Sequence, residues 1–197
     1  MPREERRLTR GDILPLSEYV AERRAHRARI AAIKRHRRLE VGPFAAFYFE
    51  NYDTMWHQVH EMLAIEKGGE AQIEDELLAY NPLIPQKNEL SATVMLEIDD
   101  PARRARELSR LGGIENATFI EFGGERIRGE PDRDRENTSP EGRASAVQFV
   151  RFRLSPEEAA RFEKPNERIL VGFDHKNYGH IATLPEEVRR ALAQDLE

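Results

Sequence analysis

The sequence predicts an α+β protein, with an N-terminal helical arm followed by a mainly antiparallel sheet that helices cover. In residues 1–88, apolar side chains recur at helical spacing and the segments begin with capping residues. In residues 89–197, short stretches alternate between apolar and polar side chains, which is typical of strands. Glycine pairs and prolines separate these segments, and no internal repeat is present.

The helical part is expected to begin with a long basic helix. Pro15 precedes its start, and the pattern predicts that it continues to about Leu39, before the break at Gly42-Pro43. Asn51 or Asp53 is expected to cap the next helix. The other elements predicted in this part are a strand at 44–49 and helices at 53–67 and 73–80.

The second part contains the strand-like stretches. Ser155-Pro156 is a strong helix start, and Gly123-Gly124 is typical of a hairpin turn. Residues 129–143 have no large apolar side chain, so we expect a loop there, and this loop is a candidate lid. The elements predicted in this part are strands at 91–98, 117–122, 144–154 and 168–173, with helices at 101–111 and from 156 and 185.

A length of 197 residues favours one domain, because typical domains have about 100–200 residues. Within residues 1–197 we distinguish three segments. They are a basic helical arm at 1–40, a strand-helix-helix segment at 41–88, and an α+β sheet region at 89–197.

Composition excludes several classes of protein. The chain has no cysteine, which rules out disulfides, cysteine zinc sites and a cysteine nucleophile. Its longest mainly apolar run, Val41 to Phe49, is far shorter than the roughly 20 residues of a membrane span. The N-terminal residues have no apolar signal region. We therefore expect a soluble, cytoplasmic protein.

The net charge of −5 conceals an asymmetry. Residues 1–40 have 12 Lys and Arg against 6 Asp and Glu, whereas the remainder is strongly acidic. The basic block at 23–38 has two interpretations: a phosphate-binding surface, or a helix whose cations dock on the acidic body of the same chain or of a second copy. No aromatic residue interrupts the block to stack on bases, so nucleic-acid binding is the weaker interpretation.

Two polar clusters contain the candidate site residues. His57 and Glu61 are four residues apart in a predicted helix and should share one of its faces. His175 and His180 follow a predicted strand, where a rigid element would position them. If the two clusters meet, these four residues predict a metal site, because histidine and carboxylate groups bind iron, manganese and zinc.

A structural role for these residues is the main alternative. Histidine and aspartate at strand ends often satisfy backbone groups. Neither cluster has a recognised metal-binding spacing, and the sequence has neither a P-loop nor a G-x-S-x-G motif. His26 and His36, in the basic block, are expected to be surface residues.

Five ordered blocks resemble an uncharacterised bacterial family, a domain of unknown function. The blocks are Phe49-Glu50-Asn51 followed by Thr54, Gln58, Glu61 and Met62; residues 80–85; residues 92–97; residues 145–152; and residues 171–175 followed by Tyr178 and His180. Genes of this family tend to lie beside rubrerythrin-like proteins and iron–sulfur oxidoreductases. The resemblance thus implies an accessory protein in iron-dependent redox chemistry or peroxide defence, and it implies no catalytic residue.

Three functional hypotheses follow. The first is an accessory protein that binds a rubrerythrin-like or iron–sulfur redox partner, with a metal or other cofactor near His57, Glu61, His175 and His180. The second is a metal-dependent enzyme that uses the same residues, with Glu61 as acid or base. The third is a nucleic-acid-binding protein that uses the helix around residues 23–38. A homo-oligomer is compatible with each hypothesis.

Overall fold

A computed structural model describes residues 5–164 and 167–197, and these residues form six α-helices and two antiparallel sheets. The α+β prediction is therefore confirmed. The helices are α1 (Leu16–Lys34), α2 (Tyr52–Glu66), α3 (Glu70–Tyr80), α4 (Pro101–Arg110), α5 (Pro156–Phe162) and α6 (Glu186–Leu196). The strands are β1 (Arg38–Val41), β2 (Ala45–Glu50), β3 (Glu89–Leu96), β4 (Thr118–Phe122), β5 (Glu125–Arg128), β6 (Glu130–Pro131), β7 (Val147–Arg153), β8 (Leu170–His175) and β9 (Tyr178–Thr183).

The larger hydrophobic core lies between the two sheets. The first sheet has the strand order β1-β2-β3-β7-β6, and the second has the order β5-β4-β8-β9. Phe47 of the first sheet packs against Phe173 of the second, with ring centroids 5.2 Å apart. Both rings are almost fully buried, and residues of α4, α5 and α6 complete this core.

A second hydrophobic core lies among the first three helices. Tyr19 of α1, Trp56 and Val59 of α2 and Ile73 of α3 are buried together there. Phe149 on β7 packs against this cluster, so the helical layer covers part of the outer face of the first sheet. Helices thus cover the sheet, as the sequence predicts.

Local signals at the starts of helices are confirmed in detail. The side chain of Asn51 accepts a hydrogen bond from Thr54 N, and Ser155 accepts one from Glu158 N. Gly123 and Gly124 both have positive φ in the turn between β4 and β5, as a two-residue hairpin turn requires.

The structure differs from the predicted elements at three places. Helix α1 ends at Lys34 rather than near Leu39, because residues 38–41 form β1 and pair with β2 instead. Strand β9 was not predicted, although it forms a hairpin with β8. The predicted loop at 129–143 contains β6, which pairs with β7.

The basic arm docks on the body of its own chain, as one of the two interpretations predicts. Five of its cations reach carboxylates in other elements: Arg10–Glu70, Arg23–Glu61, Arg29–Asp53, Arg37–Asp195 and Arg38–Glu97. The Arg37–Asp195 pair is bidentate and almost fully buried, with N–O distances of 2.7 and 2.8 Å. None of the described helices combines the length and apolar character needed to cross a membrane.

Candidate functional site

Helices α1 and α2 form an antiparallel pair that contains the first predicted cluster. Near one end of the pair Tyr19 contacts Glu61, and near the other Arg29 contacts Asp53. Between these contacts the rings of His26 and Trp56 pack edge to face, with their centroids 5.1 Å apart. His26 is therefore an interface residue, and the prediction that it lies on the surface is wrong.

Glu61 is held by two side chains of α1. It accepts hydrogen bonds from Arg23 Nε and Nη2, at 2.9 and 2.8 Å, and from the Tyr19 hydroxyl, at 2.8 Å. The bonds from Arg23 are the main reason why the pKa of Glu61 falls to about 2, and the hydroxyl of Tyr19 adds to the effect. A carboxylate held in this way stays ionised and is a poor general acid or base near neutral pH.

His57 lies one turn before Glu61, and both of its ring nitrogens are buried. Neither nitrogen has a hydrogen-bond partner among the described residues. Burial lowers the pKa of His57 to about 4; the charges of Lys34 and Arg27 act in the same direction, and the charge of Glu61 opposes them. The ring is therefore neutral at pH 7, and a buried polar group without a partner is unusual enough to mark a candidate site.

His60 has a structural role, because its ring satisfies backbone hydrogen-bonding groups. Its Nε2 accepts a hydrogen bond from Leu14 N at 3.0 Å, so Nδ1 bears the proton and donates to Trp56 O at 2.7 Å. Burial lowers the pKa of His60. Its ring lies 4.0 Å from that of Trp56 and 4.7 Å from that of Tyr19, which completes an aromatic cluster between the helices.

Two cavities flank this aromatic cluster. One, of about 270 Å³, is bounded by Tyr19 and His60 and has mainly apolar walls. The other, of about 470 Å³, is bounded by His26 and Trp56. Both cavities open to the surface beside the helix pair.

The second predicted cluster lies on the β8–β9 hairpin. His175 Nδ1 accepts from Asn177 N, so Nε2 donates to Gly112 O at 3.2 Å. The ring of His180 packs against Tyr178, with centroids 4.5 Å apart. The Tyr178 hydroxyl donates to Val41 O. These contacts tie the hairpin to neighbouring loops.

The two predicted pairs thus contact different elements. His57 and Glu61 face α1, whereas His175 and His180 contact residues around Gly112 and Tyr178. In the part of the chain that the structure describes, no three His, Asp or Glu side chains are grouped as a metal ion requires. The four-residue metal site stays a prediction.

A polar row across the first sheet escaped the sequence analysis. Glu50, Ser91 and Arg151 are paired across β2, β3 and β7, so their side chains share one face. Glu50 is buried and accepts hydrogen bonds from the hydroxyls of Thr54 and Thr93, at 2.6 and 2.8 Å. The sequence shows a charged residue within the alternating pattern of β2, Glu50, and another within that of β7, Arg151. Only the register of the strands brings these two residues into one row.

The fold and these clusters define an α+β protein in which a three-helix layer with its own hydrophobic core covers part of one of two antiparallel sheets. The chain belongs to the family described as protein of unknown function (DUF3501), which matches residues 7–196. It is similar to a crystal structure described as a novel protein of unknown function from Burkholderia pseudomallei K96243. The two share 35% sequence identity over 96% of this chain and 99% of that one, with a TM-score of 0.89. No curated protein matches the chain.

Proposed function

We propose that this chain is a cytoplasmic accessory protein that binds an acidic redox partner through the outward face of α1. The partner would belong to an iron-dependent redox or peroxide-defence system. Support for the system comes from the gene neighbours of the family that the sequence resembles. Support for the surface comes from the distribution of charge on α1.

The outward face of α1 consists of Arg24, Arg27 and Arg35 with Ala28 and Ala31 between them. Residues at these spacings share one helical stripe, and all five are exposed. Arg24, Arg27 and Arg35 have no ion pair among the described residues. This set is named the α1 outer face below.

The observation that supports this proposal best is that some arginines of the basic arm form ion pairs within the chain, whereas others do not. Arg23 and Arg29 are neutralised by Glu61 and Asp53 and hold the helix in place. The arginines of the α1 outer face have no such role, so their charge remains available to another molecule. Because alanine side chains are short, they do not obstruct a partner that approaches these arginines. Complementary charge on the partner would accelerate and orient its association.

The test is binding to a purified rubrerythrin-like protein encoded beside a gene of this family. We would measure affinity by surface plasmon resonance at several salt concentrations. The triple variant Arg24→Gln/Arg27→Gln/Arg35→Gln should weaken binding at least about tenfold, and added salt should weaken binding of the unaltered protein.

Helix α4 offers a matched control. Arg103, Arg106 and Arg110 are exposed arginines at similar spacing, so their triple change to Gln removes the same charge elsewhere. This control should leave affinity nearly unchanged. Equal loss in both triple variants, or no binding of the unaltered protein at low salt, would reject the proposal.

Nucleic acid is the alternative occupant of the α1 outer face, because unpaired arginines also bind phosphates. A short RNA and a short DNA duplex would be tested with the same variants. Tight binding that falls steeply with salt and depends on the α1 outer face, without binding of the redox protein, would favour this alternative.

A metal-dependent role is the second candidate function, and one observation favours it. His57 presents a neutral imidazole with two unbonded nitrogens, and the neutral form is the one that binds metal ions. The sequence predicts Glu61, His175 and His180 as co-ligands and iron, manganese and zinc as the metals, but in the structure Glu61 is held by Arg23 and Tyr19 and the two histidines contact other elements. Elemental analysis of untagged protein tests it: a near-stoichiometric metal that His57→Gln removes would support it, and trace amounts would reject it.

A further inference from the structure

A polar cleft lies where the segment after β5 passes the edge of β7. Its volume is about 430 Å³. Its wall contains three arginines, Arg133, Arg151 and Arg153, whose charge sets this cleft apart from the apolar cavity beside His60. The other lining residues are Asn116, Gly129, Glu130, Pro131, Asp132 and Asp134. We call it the Arg151 cleft.

The ion pairs of the Arg151 cleft leave two of these arginines free. Arg153 contacts Glu130 at 3.0 Å and Glu89 at 3.3 Å. Asp132 is paired with Arg135 at 3.3 Å. Neither Arg133 nor Arg151 contacts a carboxylate among the described residues, and only Asp134 of the lining acids lacks a cation. The unpaired charge of the cleft is therefore positive.

A hydroxyl group without a partner lies beside Arg151. Ser91 pairs directly with Arg151 across β3 and β7, and such paired side chains have Cβ atoms about 5 Å apart. Its Oγ is buried and has no hydrogen-bond partner among the described residues. Glu50, on the other side of Ser91, accepts from Thr54 and Thr93 instead. The hydroxyl of Ser91 therefore does not occupy the guanidinium of Arg151, although Ser91 itself does not line the cleft.

We propose that the Arg151 cleft binds a small oxyanion, either a phosphate group or a carboxylate group. Arg151 is the central residue, because a planar guanidinium donates two parallel hydrogen bonds to such groups. Arg133 supplies a second cation from the segment 129–143. An oxyanion would satisfy groups that the protein itself leaves unpaired.

The test uses isothermal titration calorimetry with inorganic phosphate and, separately, with acetate, at constant ionic strength set with chloride. Saturable binding of either anion at a single site is the expected result. Binding of phosphate alone identifies a phosphoryl ligand, and binding of acetate identifies a carboxylate. No saturable heat with either anion overturns the proposal.

Variants localise the binding. Arg151→Gln and Arg133→Gln should each weaken it about tenfold, since a hydrogen bond to a charged group contributes roughly that much. Arg153→Gln is the matched control on the same strand, because this arginine is already neutralised, and it should have little effect. Arg133 is exposed and lies in an irregular segment, so its variant tests the site even if Arg151→Gln fails to fold. Equal weakening by Arg153→Gln and Arg133→Gln would indicate charge screening and overturn the proposal.

This site is separate from the α1 outer face. The proposed function depends on Arg24, Arg27 and Arg35, and the anion site depends on Arg133 and Arg151. Either can fail while the other stands, because the two triple variants above leave the Arg151 cleft intact.

Discussion

Removing the hydroxyl of Tyr178 tests how the β8–β9 hairpin stabilises the turn between β1 and β2. This hydroxyl donates to Val41 O at 2.8 Å and accepts from Ala45 N at 3.0 Å and from Phe44 N at 3.3 Å. Tyr178→Phe keeps the ring, which packs against Phe44 and Phe173. The variant therefore isolates the hydrogen bonds from the packing.

The expected loss follows from which groups are left unpaired. Tyr178 and Ala45 are buried, and an unsatisfied buried polar group costs about 1–3 kcal/mol. The bond to Phe44 N is longer and partly exposed, so it adds less. We expect the free energy of unfolding to fall by about 2–3 kcal/mol, and Tm by about 5–10 °C for a chain of this size.

Tyr48→Phe is the control, because it makes the same chemical change at a partly exposed site. The Tyr48 hydroxyl contacts Arg38 at 2.9 Å and also Glu97, and both charged side chains are more than a third exposed. Its removal should cost less than about 1 kcal/mol. Urea unfolding followed by circular dichroism measures both variants. If Tyr178→Phe is destabilised no more than Tyr48→Phe, the hydroxyl does not stabilise the turn and the reasoning is wrong.

Three further perturbations have defined outcomes. The pKa of His57 is about 4 in the folded chain and 6.5 in the reference state, so the unfolded chain takes up a proton at a higher pH than the folded chain does. The contribution of His57 to the free energy of unfolding is therefore fully present above pH 6.5 and is lost as the pH falls towards 4. With an allowance for solvent screening the loss is about 1–2 kcal/mol, and it should be absent from urea titrations of His57→Gln. Arg37→Met should cost about 3–5 kcal/mol because it leaves Asp195 buried without its cation; a double-mutant cycle with Asp195→Leu should show strong coupling, and additive losses would contradict this. Gly42→Ala should lower Tm clearly, since φ is +74° and a Cβ atom would lie 2.6 Å from the ring of His180; an unchanged melting curve would be inconsistent with this turn.

The predictions that succeeded rest on local chemistry. Asn51 and Ser155 cap helices because each side chain bonds a backbone amide only three residues away, and such a relation is visible in the sequence. The same holds for Gly123-Gly124, where positive φ is a property of the residues themselves. Spacing also placed His57 and Glu61 one turn apart on the same helix, α2.

The elements that were missed depend on pairing between distant segments. Residues 38–41 alternate charged and apolar side chains over only four positions directly after a basic helix, and their pairing with β2 makes them a strand. Strand β9 is largely exposed and includes Gly179, so it has no apolar alternation to indicate it. A sequence pattern predicts a strand only where one face is buried.

The candidate site shows the same limit. The partners of Glu61 are Tyr19 and Arg23 on another helix, and no spacing rule joins them. Likewise Glu50, Ser91 and Arg151 form a row only because three strands have one particular register. The helical face on which each candidate side chain lies was predictable from the sequence. The partners that determine the protonation state of that side chain were not.

Because few residues of α1 are buried, the fluorescence of Trp56 can report on the position of this helix. Only Tyr19 and Ile30 of α1 are buried, so this helix has few apolar contacts to oppose local opening. Trp56, the single tryptophan of the chain, lies beneath it, 8% exposed and in contact with His26 and Arg29. Tryptophan emission therefore reports on the contact between α1 and α2 rather than directly on the core between the two sheets.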